Sequence, residues 1–320
     1  MAMKLICELS GEHPDLPFAE LELIGPIVNR DPQVAVVEAA DPLLGQRLSL
    51  SHNVLIWLGD CDGDRSSFVH LLDDLCLTPK DPFVARVRKI AGSAMPVPVP
   101  ELERIMGSKI RGRVSLENAA VEYRAVFSAG RCYLGRLLYR IDRGGFDLRR
   151  PGSRAFFHPG VMMPRMARAL VNISLVREGE FLLDPFCGTG GIVLEAVTVG
   201  ALGIGSDIDR DMVAGSRRNV PEADFLSADT TALPFPDSCF PAIVTDLPYG
   251  QSVSIGAGSL EDLYRDALQE LRRVLVPGRR AVVVTHRDIS GSAGEIFCIE
   301  AAYTQRVHRS LTRRILVLRK

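Results

Sequence analysis

The stretch that most constrains this 320-residue chain is Asp184-Pro-Phe-Cys-Gly-Thr-Gly-Gly. A short apolar run, Phe181–Asp184, ends in it, and a helical pattern over Gly191–Val199 begins in it. Glycines at such a turn let the backbone approach a ligand, and the helix start offers free N–H groups. The Gly-x-Gly-Gly spacing is neither a Walker loop nor the usual dinucleotide fingerprint. Downstream, strand and helix patterns alternate: strands at Leu202–Asp207, Ala242–Asp246 and Arg280–Thr285, helices at Arg210–Asn219 and Ser259–Leu275. That grammar predicts a mostly parallel sheet with helices on both faces. Glu295–Tyr303 and Arg314–Leu318 read as two further, antiparallel strands, which departs from the plain dinucleotide fold.

Three more carboxylates fall in phase with the glycine turn. Asp207 ends the next strand, about twenty residues past Gly188, where an acid accepts ribose hydroxyls. Asp229 follows the strand-like Ala223–Leu226 and suits an adenine amino group. Asp246 ends a strand and opens Asp-Leu-Pro-Tyr-Gly. Each alone is ordinarily a helix cap or turn residue. Four at C-terminal strand ends mark the ligand edge of an open α/β sheet.

Asp246-Leu247-Pro248-Tyr249 has a chemistry of its own. The exocyclic amino group of a base is a poor nucleophile, because its lone pair is delocalised into the ring. Attack on a methyl sulfonium needs acceptors that bind the amino protons as the nitrogen becomes tetrahedral. The Asp246 carboxylate and the Leu247 carbonyl supply two, held by the fixed φ of Pro248. Tyr249 offers a face on which a flipped-out base stacks. The alternative is a buried turn with a packed tyrosine.

The net charge of −1 conceals a segregation. Residues 1–79 carry 4 basic and 13 acidic side chains, residues 80–154 carry 16 and 7, and residues 155–320 carry 18 and 19. A 75-residue stretch at +9, built mainly of arginine, is the footprint of a polyanion-binding surface. A solvated face balanced by the acidic first segment is the competing reading. Strands are expected at 3–9, Val34–Ala39, Arg47–Leu50, Asn53–Leu58 and Phe83–Ile90, the last with one wet, positive face. Helices are expected near Phe18–Leu23, at Ser66–Leu75 and from Pro100 to Gly107, and a hairpin joins Val121–Ser128 to Arg131–Tyr139 through Ala129-Gly130. Seven scattered cysteines, none in a Cys-x-x-Cys pair, argue for reduced thiols and against a zinc ribbon. Cys187 reads as a small packed residue. No run of 18 apolar residues occurs, and the first residues do not read as a signal peptide. A cytoplasmic, non-membrane protein is the expectation.

The order Asp184-Pro-Phe-Cys-Gly-Thr-Gly, Asp207, Asp229, Asp246-Leu-Pro-Tyr-Gly resembles the S-adenosylmethionine-dependent amino-methyltransferases. The whole chain resembles the archaeal tRNA guanine-10 N2-methyltransferases, which carry an N-terminal THUMP RNA-binding region. Arg154-Ala-Phe-Phe-His-Pro-Gly-Val-Met-Met-Pro-Arg-Met-Ala-Arg-Ala-Leu-Val-Asn and Arg306-Val-His-Arg-Ser-Leu-Thr-Arg resemble the family's helix leading into the first strand and its C-terminal hairpin. Phe83-Val-Ala-Arg-Val-Arg and Val114-Ser-Leu-Glu-Asn are looser landmarks of THUMP. Leu247 stands where the commonest form has proline, a change expected to spare activity and loosen the loop.

The resemblance implies a Rossmann-like class I methyltransferase domain, with a mostly parallel seven-stranded sheet ending in an antiparallel hairpin, after an N-terminal α+β RNA-binding region. It implies a ferredoxin-like piece at 1–75, THUMP at 76–145, a linker at 146–154 and the methyltransferase at 155–320. The reaction implied is methylation of N2 of guanine 10 in tRNA, once or twice, with no metal and no obligatory protein partner. Asp246, Leu247, Pro248 and Tyr249 would act on the base. Asp184, Phe186, Cys187, Gly188, Thr189, Gly190, Asp207, Ile208, Asp229, Thr230 and Asp246 would hold the cofactor. Arg111, Arg113, Arg131, Arg140 and Arg154 would meet RNA. The alternatives are another guanine (tRNA position 6 or a ribosomal site), a DNA amino- or protein-glutamine methyltransferase, and a non-catalytic tRNA-binding protein.

Overall fold

Apolar residues at alternating or helical spacing, punctuated by Gly, Pro and Asp, build the elements of the computed structural model, which describes residues 2–249, 259–309 and 311–320. They assemble into two units, 1–141 and 142–320, each with its own seven-stranded sheet.

In the first unit, strands β1 (Met3–Leu9), β2 (Ile27–Asp31), β3 (Val34–Ala39), β4 (Ser51–Asp62), β5 (Phe83–Lys89), β6 (Val121–Ser128) and β7 (Arg131–Arg140) lie in the order β2-β3-β1-β4-β7-β6-β5. All pairs are antiparallel except β5–β6. The β6–β7 hairpin turns at Ala129, whose φ of 50° is left-handed, followed by Gly130. Three helices cover the sheet: α1 (Leu16–Leu21), α2 (Arg65–Leu75) and α3 (Val99–Lys109). Asp64 caps α2 by accepting from the Ser66 and Ser67 amides at 2.8 and 3.0 Å. Phe68 and Leu72 of α2 and Leu102 and Met106 of α3 share a core with Phe83, Ala125 and Phe127. The sheet is continuous across residue 75, because β4 pairs with β7.

Arg47–Leu50, expected as a strand, is not one. Pro42 and the Asp41 cap start a 3-10 turn through Arg47, and the Ser49 and Leu50 amides then donate to the buried Glu20 carboxylate at 2.7 and 2.9 Å. A side chain thirty residues away replaces the ladder that a strand would have used.

The second unit begins at Asp142, and residues 146–154, expected as a linker, fold into part of α4 (Gly144–Leu148) and a 3-10 turn at Pro151–Ser153. Phe146 is buried beneath Arg149 and Arg168, both paired with the fully buried Glu195. Then follow α5 (Pro164–Ile173), β8 (Phe181–Asp184), α6 (Gly191–Thr198), β9 (Leu202–Asp207), α7 (Arg210–Asn219), β10 (Asp224–Ser227), β11 (Phe240–Asp246), α8 (Leu260–Val274), β12 (Leu275–Thr285), α9 (Ser290–Ile296), β13 (Cys298–His308) and β14 (Leu311–Arg319). The sheet order is β10-β9-β8-β11-β12-β14-β13. The first five strands are parallel, and β14 inserts antiparallel between β12 and β13. This is the Rossmann-like class I methyltransferase architecture with its reversed final strand. The strand expected from Glu295 starts only at Cys298, because α9 takes the preceding residues and buries Ala293 and Phe297 against α8 and β12.

Candidate active site

Strand order changes direction between β8 and β11, the switch point at whose carboxyl ends open α/β sheets take their ligands. Asp184 ends β8, Asp207 ends β9, Asp229 lies two residues past β10 and Asp246 ends β11. The sheet therefore sets the four sequence-predicted acids along one edge.

The glycine turn is built for close approach. Gly188 has a φ of 48°, and a Cβ added there would meet nothing within 4 Å. Gly190, at φ 78°, caps α6 in the left-handed region. The turn is held from below, with Ser216 Oγ donating to the Gly188 carbonyl at 2.6 Å and Asn219 Nδ2 to that of Thr189 at 2.9 Å. The Gly188 amide donates to Asp207 Oδ2 at 3.0 Å. Cys187 is buried, and burial raises its thiol far above the thiolate range, which fits a packing role. Phe186 is half-buried, and Ile208 is 67% exposed beside Asp207.

Asp184 is fully buried, accepting from Thr245 Oγ1 at 2.8 Å. Burial pushes its carboxyl up to about 8, against the pull of Thr245 and the Phe186 amide. Burial also raises Asp207. Neither acid is paired with a basic side chain among the described residues. Two cation-hungry carboxylates flanking an open glycine turn fit a donor that carries an ammonium, a sulfonium and a ribose. Asp229 is exposed and uses Oδ1 to cap a 3-10 turn through the Thr231 amide, at 2.9 Å. Thr230 is buried with its hydroxyl on the Pro185 carbonyl at 2.7 Å, which ties that turn to the glycine loop.

Asp246 lies at the centre of a second cluster. Tyr249 donates its hydroxyl to Asp246 Oδ1 at 2.8 Å, and Arg313 donates Nε to the Tyr249 oxygen at 3.2 Å. Arg313 also places Nη2 3.6 Å from Asp246 Oδ2 and is only 6% exposed. Burial raises the Asp246 carboxyl, with Arg313 and the Tyr249 hydroxyl pulling it back. Tyr264 of α8 donates to the Pro248 carbonyl, which fixes the loop from the helix side. The Tyr249 ring stands 4.8 Å from that of His286, at a 51° tilt. Leu247 is buried in the core, and its amide donates to the Val284 carbonyl at 2.8 Å. A proline at 247 lacks that donor, so the leucine ties the loop to β12 where loosening was expected. Gly250, the last residue of the motif, lies outside the described residues, as does Ser310 of the hairpin stretch.

Sequence reasoning missed Arg313, His286 and Tyr264. The available signal was an arginine in phase with the buried Ile315 and Val317. What it pairs with is 64 to 67 residues away in sequence.

Of the arginines expected to meet RNA, Arg111 and Arg113 are exposed just after α3. Arg131 pairs with Asp60 and Asp62, and the exposed Arg140 with Glu122. Arg154 tucks beside Gly191 with its Nη atoms buried, away from any wet face. The positive face expected on β5 is likewise diminished, since Arg88 and Arg124 converge on the buried Glu8. Among the described residues no helix is long and apolar enough to cross a membrane.

Comparison with known proteins agrees with this geometry. Residues 151–315 match the family described as RMKL-like, methyltransferase domain. Along its whole length the chain is similar to tRNA (guanine(10)-N2)-dimethyltransferases: 33% identical to that of Methanothermobacter thermautotrophicus, covering 99% of this chain and 100% of the relative. It is 31% identical to that of Pyrococcus abyssi, covering 97% and 98%. The crystal structure of TrmN from Thermus thermophilus shares the fold, with a TM-score of 0.54 over 99% of each chain at 22% identity. The chain belongs to the family of S-adenosylmethionine-dependent methyltransferases that contains these archaeal enzymes.

Proposed function

We propose that this enzyme methylates the exocyclic N2 of guanine 10 in tRNA, first to N2-methylguanosine and then to N2,N2-dimethylguanosine. The observation that carries the reading is the Asp246–Tyr249 corner at the end of β11, beside the uncompensated Asp184 and Asp207. S-adenosylmethionine supplies an electrophilic methyl carbon on a cationic sulfur. Asp184, Asp207 and the Gly188–Gly190 turn hold it, with Asp229 and Ile208 toward the adenine. Asp246 accepts a proton of the amino group in a hydrogen bond and so localises the nitrogen lone pair. As the N–C bond forms, the S–C bond breaks and its electron pair stays on sulfur. The surplus proton leaves the nitrogen toward Asp246. The Leu247 carbonyl is the second acceptor, and the Tyr249 ring receives the base once its hydroxyl has left the carboxylate. The scheme uses no metal and no second protein, and the setting is the cytoplasm.

Within the first unit the exposed Arg111 and Arg113 are the foremost phosphate contacts. Arg131 and Arg140 serve the sheet first. The test is mass spectrometry of nucleosides from a tRNA transcript incubated with labelled donor, beside a transcript carrying adenine at position 10. The reading requires mono- and dimethylguanosine in the first and neither in the second. Methylated guanine in both would move the target elsewhere, and none in either would favour a binding protein.

A further inference from the structure

Among the described residues Arg313 is the arginine that reaches both Asp246 and Tyr249. It projects from β14, where the register that pairs Thr285 with Arg314 brings it alongside the end of β12. It is buried, and its guanidinium spans Asp246 Oδ2 at 3.6 Å and the Tyr249 hydroxyl at 3.2 Å. One cation thus holds both functional groups of the loop from behind, the acceptor and the stacking ring.

We propose that Arg313 is a positioning residue of the transfer site, keeping the Asp246 carboxylate ionised and aimed while the Tyr249 ring is exchanged for a bound base. The inference rests on the reaction assigned above. Its physical basis is the surroundings of Asp246. Asp184 on β8 is the neighbouring acid, itself pushed up to about 8 by burial, Tyr249 and Tyr264 present hydroxyls from the loop and α8, and His286, just past β12, packs its ring on Tyr249. Burial and Arg287 hold His286 below its ordinary value, so at neutral pH it adds no cation. Arg313 is the cation set against the cost of burying Asp246. A protonated Asp246 keeps one acceptor oxygen and loses the charge that draws the amino proton. When Tyr249 releases Oδ1, the Arg313 charge 3.6 Å from Oδ2 stays beside the carboxylate, leaving Oδ1 free for the incoming amino group.

The sign of the pH effect follows. Activity requires ionised Asp246, so the rate is lost as pH falls through its pKa. Without Arg313 that pKa rises and the acid limb of the profile moves toward higher pH. The experiment compares Arg313→Met, Arg313→Lys and Asp246→Asn with the parent enzyme, measuring kcat and KM for tRNA from pH 5.5 to 9. Donor binding is titrated in each. For Arg313→Met the acid limb of kcat is expected to shift up by about 1–2 pH units. At pH 7 kcat should drop about 10–100-fold and recover in part at pH 9, with donor affinity and KM nearly unchanged. Arg313→Lys should keep the parent limb. If Arg313→Met does not fold, Arg313→Gln carries the same expectation. An unshifted limb in a folded Met or Gln variant overturns the proposal, even if turnover falls. An active Asp246→Asn enzyme would instead overturn the parent reading, which separates the two failures.

Discussion

The two sheets treat their carboxylates in opposite ways. In the first unit Glu8 is fully buried and surrounded by donors: Asn53 and Arg124 at 2.7 Å, with Arg88 on its other oxygen. Burial works to raise its pKa, and Arg124, Arg88 and Asn53 together pull it below the ordinary range. At the edge of the second sheet Asp184 is buried and Asp207 half-buried, neither with a basic partner among the described residues, and burial pushes both up. A carboxylate completed by its own chain is holding structure together. One left incomplete at a strand end is prepared for something that arrives. By this criterion much of the +9 charge of residues 80–154 belongs to architecture, and only part of it to RNA.

The contrast can be broken most forcefully at Glu8. Replacing it by alanine strands Arg88 and Arg124 in the sheet and should cost about 3–5 kcal/mol. Urea unfolding of the first unit reads this, and a loss under about 1 kcal/mol would deny that the cluster is structural. Asp184→Asn should do the reverse. An acid raised from 3.8 to about 8 contributes stability that is whole below pH 4 and lost as pH climbs to about 8. Across that window the asparagine variant should gain on the parent, by about 2–4 °C in Tm for each kcal/mol, while binding the cationic donor at least about tenfold more weakly. Equal stability at pH 8, or unchanged donor affinity, would remove Asp184 from the site. Gly188→Ala tests the turn between these acids. Its left-handed φ costs the fold about 1–2 kcal/mol, and its methyl enters the space the donor needs. Calorimetry should show donor affinity falling further than stability. The smallest effect separates the arginines. Removing Arg111 and Arg113 should lower the salt slope of tRNA binding by about 2, whereas removing Arg140 should leave it near the parent value.

What the sequence disclosed follows the range of the forces involved. Periodicity is local, so β8 to β12 and their helices were legible, as was the hairpin at Ala129-Gly130. The four acids were legible because strand ends follow from the same periodicity. Residues governed by distant partners were not. The amides of Ser49 and Leu50 bind Glu20, Arg88 and Arg124 reach Glu8 across 80 and 116 residues, and Arg313 finds Asp246 across a strand inserted last. Position 247 makes the same point. Set against the family's commonest form the leucine looked like a weakened proline, yet its N–H makes a bond with β12 that proline cannot.

The central claim is that a half-buried carboxylate at the end of β11 drives an unreactive amino group onto the donor's methyl carbon. Single-turnover transfer of labelled methyl to tRNA by Asp246→Asn, with donor and tRNA affinities measured alongside, tests it most directly. The account predicts both affinities within a few-fold of the parent and a rate lower by about 100–1,000-fold or more. A variant that binds both and transfers at the parent rate would contradict it.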